Sequence, residues 1–152
     1  MKILDVLNKT AVLTDLKSED KKGVLEELVA PVAKIAGTEP SDLVKVLLER
    51  ERLGSTGIGG GIGIPHGKLK NLDQLVLGVG ISRKGVEFDS MDNRPTYIFF
   101  LLVTPENSTG IHLKVLAQIS RLLKDDLLKN RLMGAADADA VLALIHERDE
   151  EF

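Results

Sequence analysis

Apolar residues recur along this chain with two different periods, and the change between them marks out its elements. Leu25, Leu28, Val29 and Val32 fall at i, i+3, i+4 and i+7, the spacing of one helix face. This predicts an amphipathic helix over 18–36, with Ser18 as N-cap, Glu19 and Asp20 in its first turn and Gly37 as its stop. Pro31 inside it is expected to bend or divide it. A second helix is predicted over 41–53, with Leu43, Val46 and Leu47 inward. The stretches Leu75–Arg83 and Thr96–Thr104 are apolar on both alternating faces, as in strands covered on both sides. Shorter strand signals lie at Thr10–Thr14, Ile62–Ile64 and Gly85–Phe88. Beyond Pro105 the helical period returns over 109–124, with Val115, Leu116, Ile119, Leu122 and Leu123 in register. Two further helices are predicted over 126–133 and 137–147, the last capped by Asp137.

Helices before, between and after central strands imply a three-layer α/β domain, a sheet flanked by helices. No internal repeat or linker divides the chain, so residues 1–152 are expected to form a single domain. At 43% hydrophobic and 28% charged, the chain has the composition of a folding sequence. A net charge of −3 without a basic cluster argues against nucleic acid as a partner. No cysteine is present, which removes disulfides, thiolate metal sites and a cysteine nucleophile. The N-terminal stretch is too short and polar for a signal peptide, and no apolar run approaches membrane-span length. A cytoplasmic protein without direct membrane insertion is therefore expected.

The stretch GSTGIGGGIGIPHGK, 54–68, holds seven of the fourteen glycines and a single histidine, His66. Nucleotide motifs do not fit it. A P-loop needs glycine where Ile62 stands and Ser or Thr where Leu69 stands. The dinucleotide pattern fails from Gly57, where its last position is Ile62, and from Gly61, where it is His66. The glycines could simply build a tight turn. Alternatively, Pro65 and Gly67 present the imidazole at a strand end, with glycine-flanked N–H groups forming an anion-binding concavity. An imidazole beside such a concavity suits nucleophilic attack on a phosphoryl group.

Two other residues are candidate companions. His112 is followed by Val115, Leu116 and Ile119 at +3, +4 and +7, so it begins the inward stripe near a helix N-terminus. It is either a half-buried histidine satisfied by backbone or a phosphate ligand. Arg50 falls at +7, +4 and +3 from Leu43, Val46 and Leu47; it either snorkels or reaches the site. His146, among charges at the end of the last helix, reads as a solvated histidine. Three histidines spaced 46 and 34 apart make no metal motif.

The segment ERERLGSTGIGGGIGIPHGK, with FDSMDNRPTYIFFLLVTP and HLKVLAQISRLL further on, resembles the fructose/mannitol-type (type-2) enzyme IIA domains of the bacterial phosphotransferase system. It is most similar to their nitrogen-regulatory branch, and the likeness runs in order over nearly the whole chain. The resemblance implies the mannitol-type enzyme IIA fold, with a mixed parallel and antiparallel sheet between helices. It implies a phosphocarrier that accepts a phosphoryl group from phospho-HPr or its nitrogen-branch counterpart on His66, at Nε2. His112 would hydrogen-bond that group, Arg50 would support it, and the loop backbone at Gly61, Gly63 and Gly67 would line it. Neither metal nor cofactor is implied. The acceptor would be regulatory target proteins or, in a sugar-uptake relay, a separate enzyme IIB. The lack of fused cysteine-bearing IIB and membrane IIC segments leans toward regulation. Gly60 and Gly63 stand where the branch usually has Asn and Ala.

Overall fold

The computed structural model describes residues 1–151, and its centre is the strand pair that the apolar runs predict. β1 (Leu7–Leu13) pairs in parallel with β5 (Val76–Val86), and β5 pairs antiparallel with β6 (Thr96–Pro105). On the far side of β6, two short segments pair with it in parallel: β3 (Ile62–Gly63) and then β4 (His66–Leu69). β2 (Gly57–Gly59) closes that side as an antiparallel partner of β3. The sheet is thus mixed, in the order β1-β5-β6-β3-β2 with β4 also on β6.

Helices cover both faces, giving the three layers expected. On one face, α2 (Lys21–Ala36) and α3 (Pro40–Arg52) pack on Val76, Phe99, Leu101 and Val103. On the other, α4 (Thr109–Leu122), α5 (Asp126–Met133) and α6 (Ala138–Arg148) pack on Leu77, Val79, Ile81, Ile98, Phe100 and Leu102. A four-residue helix, α1 (Ile3–Val6), joins this second layer. The alternation of β5 and β6 therefore feeds two separate cores. At Gly78 and Gly80 the α2 side of β5 carries no side chain, and Val32 and Leu28 of α2 fill the space.

Several expectations shift. The first long helix begins at Lys21 with Asp20 as its cap, not at Ser18, and Asp20 Oδ1 accepts from Gly23 N at 2.8 Å. Ser18 and Glu19 stay outside because Glu27 takes the N–H of Ser18 and the Glu19 carbonyl accepts from Glu87 N. Pro31 does not divide α2, which runs unbroken because Leu28, Val29, Val32 and Ala33 are all buried around it. Gly37 ends the helix at φ 70, as expected. Of the separate strand predicted at Gly85–Phe88, Gly85 and Val86 are the tail of β5, continued past an irregularity between Ile81 and Val86, while Glu87 makes an isolated bridge with Asp20 and Phe88 lies outside the strand. The helix predicted over 137–147 runs over Ala138–Arg148, with Asp137 as its cap accepting from Ala140 N at 2.9 Å.

Candidate functional site

His66 is the first residue of β4, where it pairs with Leu102. β2 lies beside β3 only, so β4 has no outer strand neighbour among the described residues. The imidazole stands on that open edge, half-buried, directly after the buried Ile64–Pro65 step. Pro65 offers no N–H, and its carbonyl is taken by Leu102 N at 3.0 Å. The His66 Nδ1 lies 2.8 Å from the Ile64 carbonyl oxygen. A carbonyl only accepts, so Nδ1 carries the hydrogen and Nε2 keeps its lone pair. Burial lowers the His66 basicity; the Ile64 bond raises it, the Arg50 charge lowers it and the Glu51 charge raises it, with a net lowering. The ring is thus neutral, and its backbone partner leaves the free lone pair on Nε2.

His112 comes from the other helical layer, in the first turn of α4, with its N–H bonded to the Ser108 carbonyl. Its ring centroid lies 5.3 Å from that of His66, with the planes at 64°. It is buried, and its Nδ1 lies 2.6 Å from Thr104 Oγ1 on β6. Burial, then the His66 and Lys68 charges, push its pKa down to about 4. If the Thr104 hydroxyl donates to Nδ1, the neutral ring presents Nε2–H as a donor. Lys68, two residues along β4 from His66 and on the same strand face, donates to Thr109 Oγ1 at 2.9 Å.

Arg50 lies near the end of α3, partly buried, and its Nη1 donates to the Gly54 carbonyl at 3.0 Å. Its charge reaches the His66 ring. The structure therefore brings His66 and His112 together from two elements, with Gly67 flanking the first, while the Arg50 side chain is hydrogen-bonded to Gly54 and acts on the ring through its charge. It does not bring Gly61 or Gly63 to the imidazole. Gly61 pairs at the level of Ile98, four residues down β6 from Leu102, or about 13 Å at the rise of a strand. There its carbonyl accepts from Tyr97 N and Ile98 N. Gly63 is buried against Phe99, where a Cβ would stand 3.1 Å from the ring. Gly59, Gly60 and Gly61 form the β2–β3 turn with φ of 93, 67 and 81, the left-handed region that glycine and asparagine enter most easily. The Gly60 N–H donates to Asp92 and its carbonyl accepts from Lys129. His146 is exposed and remote in sequence and element from this group. Among the described residues, no set of three or more His, Cys, Asp or Glu side chains could hold a metal.

Two residues with contacts at the site escaped the sequence reading. Glu51, at +4 and +8 from Leu47 and Leu43, is a carboxylate on the apolar stripe of α3 and is buried. Thr104 continues the face of β6 that carries Phe100 and Leu102, as a polar residue ending an apolar row. In each case the signal was a polar side chain at a core position, which requires a partner.

The sequence profile of the family "Phosphoenolpyruvate-dependent sugar phosphotransferase system, EIIA 2" matches residues 5–148. The chain is 39% identical over 145 residues to a nitrogen regulatory protein of Bradyrhizobium diazoefficiens, covering 95% of each. The structure of nitrogen regulatory protein IIA-Ntr from Neisseria meningitidis superposes with a TM-score of 0.88 at 31% identity, covering 93% of this chain and 97% of that one. The mannitol enzyme IIA of Escherichia coli, solved in complex with phosphorylated mannitol enzyme IIB, shares the fold with a TM-score of 0.79 at 22% identity, over 93% of this chain and 97% of that one.

Proposed function

This chain belongs to the EIIA type 2 family of the phosphoenolpyruvate-dependent sugar phosphotransferase system, and from that premise we propose that it carries a phosphoryl group on His66 Nε2. The observation that carries this reading is the 2.8 Å bond from His66 Nδ1–H to the Ile64 carbonyl, which leaves Nε2 as the free nucleophile on an open sheet edge. The donor is phospho-HPr or its nitrogen-branch counterpart. As the new N–P bond forms at Nε2, the donor's own N–P bond breaks and its electron pair returns to the donor's histidine. The transferring group is close to metaphosphate, so the protein mainly positions and neutralises it. The His66 ring becomes cationic while Nδ1–H stays on the Ile64 carbonyl. His112 Nε2–H and Arg50 meet the phosphoryl oxygens, and Gly67, bare where α3 packs on β4, lets the strand that carries His66 sit close beneath that helix. Leu53 after α3 and Leu113 beside His112 are 84% and 61% exposed, apolar side chains suited to contact with a protein donor.

The close likeness to nitrogen regulatory proteins over almost the whole chain supports a regulatory role, in which target proteins distinguish phosphorylated from free His66. The open edge at β4 also suits onward transfer to a separate enzyme IIB, as in a sugar relay. Incubation with a phosphoenolpyruvate-driven relay and intact-mass analysis is expected to show one added acid-labile phosphate, absent in His66→Ala. Retained labelling of that variant would overturn the assignment. Addition of a fructose- or mannitol-type IIB domain separates the roles. Transfer to the IIB cysteine within minutes supports the relay, and retention on His66 supports regulation.

A further inference from the structure

Glu51 takes no part in the chemistry described so far, yet it is the most deeply placed carboxylate near the site. Its side chain is 3% exposed. Burial of a carboxylate costs several kcal/mol unless it is paired and hydrogen-bonded, and here both oxygens have partners. Oε1 accepts from Thr56 N at 3.1 Å and faces Lys21 Nζ at 3.1 Å, and Oε2 accepts from Thr56 Oγ1. Lys21 is itself held, 3.3 Å from Asp89 and with its ammonium 5.0 Å from the Phe88 ring centroid.

Thr56 hands this restraint onward. Its carbonyl accepts from Ile64 N at 3.0 Å, and the Ile64 carbonyl accepts from His66 Nδ1–H at 2.8 Å. Two residues, Thr56 and Ile64, thus link a buried carboxylate to the imidazole. We propose that Glu51, anchored by Lys21, is a positioning residue for phosphoryl acceptance: it pins Thr56, so that the Ile64 carbonyl stays in line with His66 Nδ1–H and Nε2 keeps its outward lone pair. The inference rests on the reading of His66 as the acceptor.

The loop needs such an anchor. Gly54, Gly59, Gly60 and Gly61 all have positive φ, and glycine has the widest backbone freedom of any residue. Few side chains are available between 54 and 61 to hold the strand by packing. Charge-assisted hydrogen bonds to a buried carboxylate are roughly twice as strong as neutral ones, so one glutamate replaces the missing packing. The same negative charge opposes Arg50 at the His66 ring. It therefore favours the cationic ring that exists while phosphorus is bonded to Nε2.

The test has two readouts. Long-range proton–nitrogen spectra of the His66 ring report its tautomer and need no phosphorylation, so they stand apart from the acceptor assignment. Initial rates with the phospho-HPr-type donor report acceptance. Glu51→Ala is expected to mix the two His66 tautomers and slow phosphorylation about ten-fold. Glu51→Gln keeps an oxygen for Thr56 N and should recover most of the rate. Val141→Ala, which opens the buried α6 side of the other core, serves as a variant of lowered melting temperature with normal tautomer and rate. Should Glu51→Ala not fold, Thr56→Val carries the same two measurements with a smaller shift in the same direction. A folded Glu51→Ala, or in its place Thr56→Val, with wild-type tautomer and rate would overturn the proposal. A wild-type protein with the Nδ1–H tautomer and no phosphate at His66 would instead sink the acceptor reading, leaving only the role of Glu51 in fixing the tautomer.

Discussion

His112 is the residue at which burial most strongly opposes charge. In the folded protein its pKa is pushed down to about 4 from an ordinary 6.5, by burial first and by the facing His66 and Lys68 charges after it. Between those two values the unfolded chain binds a proton that the folded chain refuses, so stability must fall as pH drops through that window. His66 is shifted the same way and adds to the slope. Thermal melts from pH 7 to pH 4 are expected to show a declining melting temperature, with a shallower decline in His112→Gln. An unchanged slope in that variant would show that His112 protonates freely in the folded state. Thr104→Val tests the orientation of the same ring. It keeps the buried shape but removes the only side-chain partner of His112 Nδ1 among the described residues. With the tautomer no longer assigned, the phosphorylated protein should lose its phosphate several-fold faster, as followed by intact mass over time. The residues legible in advance were those whose chemistry is rare: one histidine among glycines, a second at the head of an apolar stripe, and an arginine at a helical offset. Glu51 and Thr104 were overlooked because each lies within a run whose dominant signal is packing.

At the scale of elements, the approach of α2 to β5 decides the thickness of one layer. At Gly80 a Cβ would stand 2.5 Å from Leu28 Cδ2 and 2.8 Å from Leu16 Cδ1, and both leucines are buried. Gly80→Ala is expected to cost about 1–3 kcal/mol through overpacking, read as a lowered urea midpoint with unchanged slope. The same substitution at Gly110, in the first turn of α4, meets nothing within 4 Å. It should stabilise by about 0.4–1 kcal/mol by restricting the unfolded chain. A loss of stability at both positions would mean that backbone conformation, not space, sets the effect. The sequence pattern predicted the helices and the two central strands well because each buries a periodic apolar face. It missed β2 and β4, whose residues GIG and HGKL have no such face and are strands only through backbone pairing with neighbours. It missed α1 because four residues are too few for a helical period to register.

For the whole molecule, the sheet order separates the contacts that hold the chain ends from the candidate site. His66 lies on the β4 side of β6, while β1 is the opposite edge, beyond β5. Arg50 belongs to the helical layer on one face and His112 to the layer on the other, so the candidate site lies where both layers border a strand with one unpaired edge. The two ends of the described chain are joined near the opposite edge, where α1 leads into β1. The Asp149 carboxylate accepts from Ile3 N and Leu4 N, both at 2.9 Å, and so closes the start of α1 with the end of α6. Ile3 is fully buried beneath this clamp. Asp149→Ala leaves two part-buried N–H groups without an acceptor, which should cost about 1–2 kcal/mol. For a chain of this size that lowers the melting temperature by roughly 2–8 °C. Because β5 and β6 stand between this clamp and β4, the initial rate of phosphorylation at 25 °C should stay within two-fold of wild type. Calorimetry paired with that rate measurement checks both halves of the expectation. A rate that falls in step with the melting temperature would mean that the two edges of the sheet are coupled.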